Sequence, residues 1–325
     1  DALGNASKVT IRKYRSGSVD GEVINYSNFV DASVITTASF DLRGNALAQT
    51  VEKFRAEDLT NKVETQAISN APYDFHDRAA VSNIVTTNSA GDIVDKQVIT
   101  YQSYDQYGNV LDQTIARTDA LNNAIDYKVI HNTYTDPIAA RRGNAKTSEI
   151  TRYAGDMVDA AKLIDFQRIE NVSFDAIGNI TLQEISLEVG GKLARFTRIE
   201  NSDISNYGDA ATQKITTWST DDLGVKLATE SSYQVITNRS FDSDHNVLNQ
   251  KVINYLDASG LVVLDVQEIR NLSFDTRGNV LEQRIATFTD ELETTLLDVK
   301  VILNEGLDAL GNASKVTIRK YRSGS

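Results

Sequence analysis

The last 18 residues of this 325-residue chain, DALGNASKVTIRKYRSGS at 308–325, repeat the first 18 letter for letter. The chain therefore holds one period of 307 residues, 1–307, followed by the opening of the next, 308–325. A sequence that restarts itself is the mark of a tandem array, in which each repeat buries its faces against its neighbours. The fold must be built from a unit that stacks.

That unit is shorter than the period. Asp-Gly-Asn punctuation recurs in SFDLRGN (39–45), SYDQYGN (103–109), SFDAIGN (173–179), SFDSDHN (240–246), SFDTRGN (273–279) and GLDALGN (306–312). Frayed copies lie at PYDFHDR (72–78), ARRGN (140–144) and NYGDA (206–210). Upstream of each turn an Ile is followed two residues later by Asn, at Ile68/Asn70, Ile130/Asn132, Ile169/Asn171, Ile199/Asn201, Ile236/Asn238, Ile269/Asn271 and Ile302/Asn304. Ile35/Thr37 and Ile99/Tyr101 fill the two remaining slots. Spacings between these marker Ile residues run from 30 to 40 and close on 307, so nine units of about 34 residues fill the period.

Each unit reads as two strands and two turns. Runs such as VLEQRIATF (280–288) and LVVLDVQEIRN (261–271) alternate and are rich in Val, Ile and Thr, which suits a pleated strand whose successive side chains point to opposite faces. Gly, Asn and Asp mark the turns because they tolerate positive φ or hydrogen-bond their own backbone. The stretch 155–167 has some helical character but occupies a strand slot, and is read as strand. Both prolines, Pro72 and Pro137, fall beside turns, as strands with amides committed on both sides require. The expected fold is all-β, a spiral or solenoid of about nine antiparallel β-hairpin units per period.

The alternation also predicts faces. Leu47, Gln49 and Val51 repeat as Leu111, Gln113 and Ile115, as Leu248, Gln250 and Val252, and as Leu281, Gln283 and Ile285, with Thr181, Gln183 and Ile185 close behind. This places each Gln on a buried face, with Glu52, Asp112, Asn249, Lys251, Glu282 and Arg284 toward solvent. A buried amide must be paired. Gln and Asn ladders between stacked units would do this; for Asn70, Asn132, Asn171, Asn201, Asn238, Asn271 and Asn304, backbone groups of a nearby turn are the alternative partners. Phe40, Tyr104, Phe174, Phe241 and Phe274 are expected to cap the core, just before the turn residues Asp41, Asp105, Asp175, Asp242 and Asp275. Gly44, Gly108, Gly178 and Gly278, with Asn45, Asn109, Asn179, Asn246 and Asn279, complete those turns.

SYDQYGNVLDQTI (103–115) and TDALNNAIDY (118–127), with DALGN at 1–5 and 308–312, resemble the YD-repeat or RHS-repeat proteins, whose hallmark is Tyr-Asp-x-x-Gly-Arg. The likeness is to an Asn-for-Arg variant with a longer unit, in which Phe mostly replaces Tyr. It implies long β-hairpins coiling into a spiral sheet, as in shells, wall-anchored surface proteins and toxin cocoons.

Reactive chemistry is scarce. With no Cys there is no thiolate nucleophile or thiolate metal site, and three His at 76, 131 and 245 are scattered. A net charge of −12 argues against nucleic acid, which is bound through neutralised phosphates. The longest apolar run, near 261–264, is too short to insert in a membrane, and no signal peptide is read at the start. No phosphate loop, H-E-x-x-H or G-x-S-x-G occurs, and the carboxylates follow the repeat rather than forming one special pair, so no enzyme activity and no cofactor is expected. Calcium is the one ion that the oxygen-rich turns bring to mind; Asp242 to Asn246 starts like an EF-hand loop but has Ile253 where the bidentate Glu belongs. Sequons such as those at Asn5, Asn171, Asn179, Asn238 and Asn271 are by-products of the repeat.

The expectation is a structural protein, part of a long extracellular filament, tube or cell-surface stalk, whose partner is itself, the next period end to end. Neighbouring filaments or a cell surface are further partners to consider. The rival readings are a surface adhesin using Trp218, Tyr107 or Tyr153, and an RHS-like shell segment enclosing a toxin.

Overall fold

The computed structural model describes residues 6–20, 23–242, 244–275, 278–307 and 311–322. DALGN at 1–5, with the Asn5 sequon, Ser243, and 308–310 of the last turn lie outside them. The architecture is all-β. Nineteen strands belong to one antiparallel sheet: β1 (Lys8–Asp20), β2 (Val23–Phe40), β3 (Ala46–Phe54), β4 (Lys62–Asn70), β5 (Val81–Asn88), β6 (Ile93–Tyr104), β7 (Val110–Thr118), β8 (Ala124–Thr133), β9 (Thr147–Ala154), β10 (Leu163–Phe174), β11 (Ile180–Val189), β12 (Lys192–Ile204), β13 (Ala210–Ser219), β14 (Ser232–Phe241), β15 (Val247–Tyr255), β16 (Val263–Phe274), β17 (Val280–Phe288), β18 (Leu296–Leu307) and β19 (Ala313–Arg322). The hairpin pattern is thus present as alternating marker strands, which carry the marker Ile and bear even numbers, and return strands, which follow the turn and bear odd ones.

Register repeats with the units. The central aliphatic of a return strand lies opposite the marker Ile of the strand before it, and opposite the residue two before the marker Ile of the strand after it. Val51 faces Ile35 and Gln66, Ile185 faces Ile169 and Thr197, and Ile285 faces Ile269 and Lys300. Because the side-chain period is two, a slip by one residue would turn every strand inside out, so this regularity is what the alternation enforces. Marker strands are bulged just before the turn between Thr37 and Ser39, Asn171 and Ser173, Asn238 and Ser240, and Asn271 and Ser273.

Two compact units can be distinguished by their internal contacts. One comprises residues 1–104, 112–129 and 153–162; the other comprises 105–111, 130–152 and 163–325. In the first, the deepest apolar cluster is Ala32, Val34 and Phe54, with Phe29 and Leu59 against it. In the second, Val266, Ile253, Val252 and Ile269 are buried.

Two expectations change. Glu52, Asp112, Asn249, Lys251 and Glu282 are half-buried rather than solvent-facing, and only Arg284 of that set is exposed. Polar contacts to neighbouring segments cover them: Lys62 pairs with Glu52 at 3.1 Å, Lys251 with Glu293 at 3.5 Å, and the Ser103 hydroxyl donates to Asp112. A short helix, α1 (Pro137–Arg141), also replaces one frayed turn; Asp136 caps it, and Ala139 and Ala140 are small enough to be buried. At 155–167 the chain forms a single 3-10 turn at Ala160–Lys162 and then β10, as the strand slot required.

Candidate functional site: stacked turns and polar rows

In each turn the Asp holds the loop. Asp41 Oδ1 accepts the N–H groups of Arg43 and Asn45, both at 2.8 Å, and its Oδ2 accepts Asn45 Nδ2 at 3.0 Å. Gly44 sits at φ 92°, in the left-handed region that a side chain disfavours. The same bonds recur at Asp105 with Asn109, Asp175 with Asn179, Asp242 with Asn246 and Asp275 with Asn279. His245 takes the Gly slot at φ 64°, and its Nδ1 lies 2.8 Å from Asp209 Oδ2. Asp242 is thereby committed to amides, and Val247 onward is strand, so an EF-hand loop does not form here.

Turns also hold one another. Asn45 Nδ2 reaches Asp77 Oδ1 of the following turn at 2.8 Å, Asn109 Nδ2 donates to Ala140 O at 2.7 Å, and Asn179 Nδ2 to Ser205 O at 3.3 Å. The turn Asn therefore closes its own loop and ties it to the next.

The marker Asn residues have one shared partner type. Each donates through Nδ2 to the carbonyl of the first residue after the preceding unit's turn: Asn70 to Ala46 (3.5 Å), Asn132 to Val110 (3.0 Å), Asn171 to Ala145 (2.7 Å), Asn201 to Ile180 (3.0 Å), Asn238 to Ala210 (2.9 Å), Asn271 to Val247 (2.8 Å) and Asn304 to Val280 (2.9 Å). Where Tyr101 takes the Asn slot, the Tyr104 hydroxyl donates to the equivalent carbonyl of Ala79 at 2.7 Å. The other caps, Phe40, Phe174, Phe241 and Phe274, are half-buried at the strand ends. Mid-strand Gln residues bond within their own hairpin: Gln183 to Asn171 Oδ1 (2.8 Å), Gln213 to Asn201 Oδ1 (2.9 Å), Gln283 to Asn271 Oδ1 (2.7 Å) and Gln49 to Thr37 Oγ1 (3.1 Å). Gln250 lies opposite Asn238, and Gln113 is half-buried in β7. The amides thus form a relay from Gln to Asn to backbone carbonyl instead of ladders of like amides. Asn171→Ala orphans both the Ala145 carbonyl and Gln183 Nε2, and is expected to cost about 1–3 kcal/mol in urea unfolding, while Gln113→Ala, in half-buried β7, is expected to cost less.

A further row was legible yet easily overlooked: an acid stands four residues before the marker Ile at Asp31, Glu64, Asp95, Asp126, Asp165, Asp265 and Asp298, broken by Arg195 and Ser232. Its members sit on the marker face and are paired. Arg117 Nε donates to Asp126 Oδ1 at 2.9 Å, Gln97 to Asp95 at 2.8 Å, Gln66 to Glu64 at 2.9 Å and Asn254 to Asp265 at 2.7 Å, while Arg152 pairs with Asp165. Asp95, Asp126 and Glu64 are buried. Among the described residues, no group of three or more His, Asp or Glu side chains is placed to hold a metal ion.

Asp41, Asp74, Asp105, Asp119 and Asp175 titrate low. Asn45's side chain holds Asp41 below the usual range and Asn123's does so for Asp119; Arg78's side chain takes Asp74 down to about 2. For Asp105 and Asp175 burial pulls upward, but the side-chain and backbone bonds from Asn109 and Asn179 outweigh it. A folded pKa below the ordinary 3.8 means that the unfolded chain takes up protons first. Turn stability is therefore present above about pH 4 and lost as pH falls toward the folded values. Melting temperature is expected to change little from pH 7 to 5 and to fall steeply between pH 4 and 2; a flat profile down to pH 2 would contradict this role for the turns.

Two of the three candidate aromatic rings have a cation beside them, although Tyr107 stays 39% exposed. Lys226 Nζ lies 4.4 Å from the Trp218 ring centre and 4.6 Å from that of Phe196, and Arg141 lies over Tyr107. Tyr153 is half-buried in β9. Among the described residues, no helix is long and apolar enough to cross a membrane.

No protein-family model and no curated protein matches the chain. Among solved structures it is similar to a chain of a mutant Tc holotoxin pore from Photorhabdus luminescens, at 10% identity and a TM-score of 0.25, over 96% of this chain and 22% of that one. This chain thus spans about a fifth of the length of the one it matches. The repeat reading rests on the strands and turns themselves.

Proposed function

We propose that the chain is a structural repeat protein without catalytic activity, a length of a long extracellular filament, tube or cell-surface stalk joined end to end with further copies of its own period. One observation supports this best: the carbonyl that opens each return strand is met by a side chain of the following unit, at seven marker Asn and again by Tyr104. An active site places distinctive groups once. Here the polar groups recur unit by unit and are taken up by the neighbouring unit. The net charge of −12 favours separation of such chains from one another. A surface adhesin is the weaker alternative, because the one Trp, Trp218, already has Lys226 over its ring. An RHS-like shell would be favoured by a hydrolase-like domain encoded in the same gene. Electron microscopy of native material is expected to show elongated particles of uniform width; discrete globular particles would overturn the reading.

A further inference from the structure

Residues 8–15 of β1 and 315–322 of β19, KVTIRKYR in both, offer the same strand twice. Interior return strands pair on both edges in the register given above: Val252, for example, faces Ile236 on β14 and Gln267 on β16. The twins divide this arrangement between them. In β19, Ile318 faces the marker Ile302 of the strand before it. In β1, Ile11 faces Ser33, two residues before the marker Ile35 of the strand after it. Ile11 and Ile318 are the same residue of the period, so the two half-registers combine into one full interior register without a slip. Exposure agrees: Ile11 is 43% and Ile318 61% exposed, whereas Val252, at the equivalent place in β15, is 7% exposed.

Charge agrees as well. The shared segment KVTIRKYR carries only basic charges, in a chain of net −12. On one edge it meets acids of β18, through Lys320 with Asp298 at 2.8 Å and Lys315 with Glu305 at 2.6 Å. On the other side Lys13 lies opposite Asp31 of β2, the Tyr14 hydroxyl donates to the Glu57 carboxylate, and Arg12 Nε donates to the Glu57 backbone carbonyl.

We infer that this strand is the joint of the array: one copy of it, lying between β18 of one period and β2 of a second copy, continues the sheet in register across the junction. The inference deepens the proposed structural role and rests on it. It names a second copy of this chain as the partner across that strand, recognised by backbone register and by acids on both sides of a basic strand. Such a contact is heterologous and continues head to tail.

Two full-length variants and their combination test it. Val316→Pro with Thr317→Pro unseats β19 and leaves β18 open; Val9→Pro with Thr10→Pro unseats β1 and leaves β2 open. In each, the remaining twin of another copy fills the vacancy, so sedimentation is expected to show average mass rising several-fold with concentration. The combined variant has both vacancies and no donor, and is expected to sediment as a monomer. Association of the combined variant like that of the others, or monomeric behaviour of all three, would overturn the inference.

A second measurement avoids proline. The chain has no Cys, and Leu303 faces Thr317, the twin of Thr10. Leu303→Cys with Thr10→Cys, refolded at high concentration, is expected to give disulfide-linked multimers on a non-reducing gel; monomers alone would count against the joint. Failure here would leave the microscopy of native material unaffected, because that reads particle length and this reads which strand sits on β18.

Discussion

Asp126→Ala is expected to lower stability by about 3–5 kcal/mol, read as a shift of the urea midpoint at constant slope. Arg117 is 8% exposed and Asp126 3%, and they are joined by a 2.9 Å bond from Nε to Oδ1. Arg117 Nη2 is buried and has no hydrogen-bond partner among the described residues. Once the carboxylate is gone, the guanidinium keeps its charge, and desolvation is no longer offset. The pair as such contributes far less than its rupture costs. Arg117→Met combined with Asp126→Leu, which removes both charges and keeps volume, is therefore expected to recover most of the loss. If the double variant were as unstable as Asp126→Ala, packing rather than the stranded charge would be the cause.

Gly178→Ala is expected to cost about 2–4 kcal/mol, from positive-φ strain and overpacking together. Gly178 sits at φ 86°, and an added Cβ would lie 3.0 Å from Ala139 N and Cα and 3.1 Å from Ile138 C, all backbone atoms of α1 or its first turn. Gly108 holds the same slot of the motif at φ 88°, with nothing within 4 Å of an added Cβ. Gly108→Ala thus isolates the backbone strain, about 1–2 kcal/mol. The difference between the two variants measures how closely one turn is packed on the next. Equal losses would mean that the stack contributes nothing at this position.

Much of the fold was readable from local pattern. Period-two alternation located the strands, Asp-x-x-Gly-Asn located the turns, and the marker Ile-x-Asn counted the units, because each depends only on residues close in sequence. Partner choice was less readable. That a marker Asn is needed could be argued from its place in the strand; that it would meet a carbonyl of the preceding unit depends on where that unit's return strand begins, which brings the opening carbonyl of Ala145, Ile180 or Val280 within reach with or without a bulge beside the Asn. The acidic row four residues before each marker was present in the letters. Its burial was not, because an alternating acid in a strand reads as solvent-facing until the Arg, Gln or Asn of an adjacent strand is known to lie beside it.

Sequence by itself determined that this protein is an all-β structure of recurring strands and turns, since alternation, turn residues and the 307-residue restart are properties of the chain alone. Tertiary structure decided which face is polar, which carboxylates are buried, which glycines touch another turn, and that the duplicated strand uses one edge at each end. Those outcomes depend on distances between strands that are neighbours in space, where burial and Coulomb interactions act, and a one-dimensional pattern does not contain them.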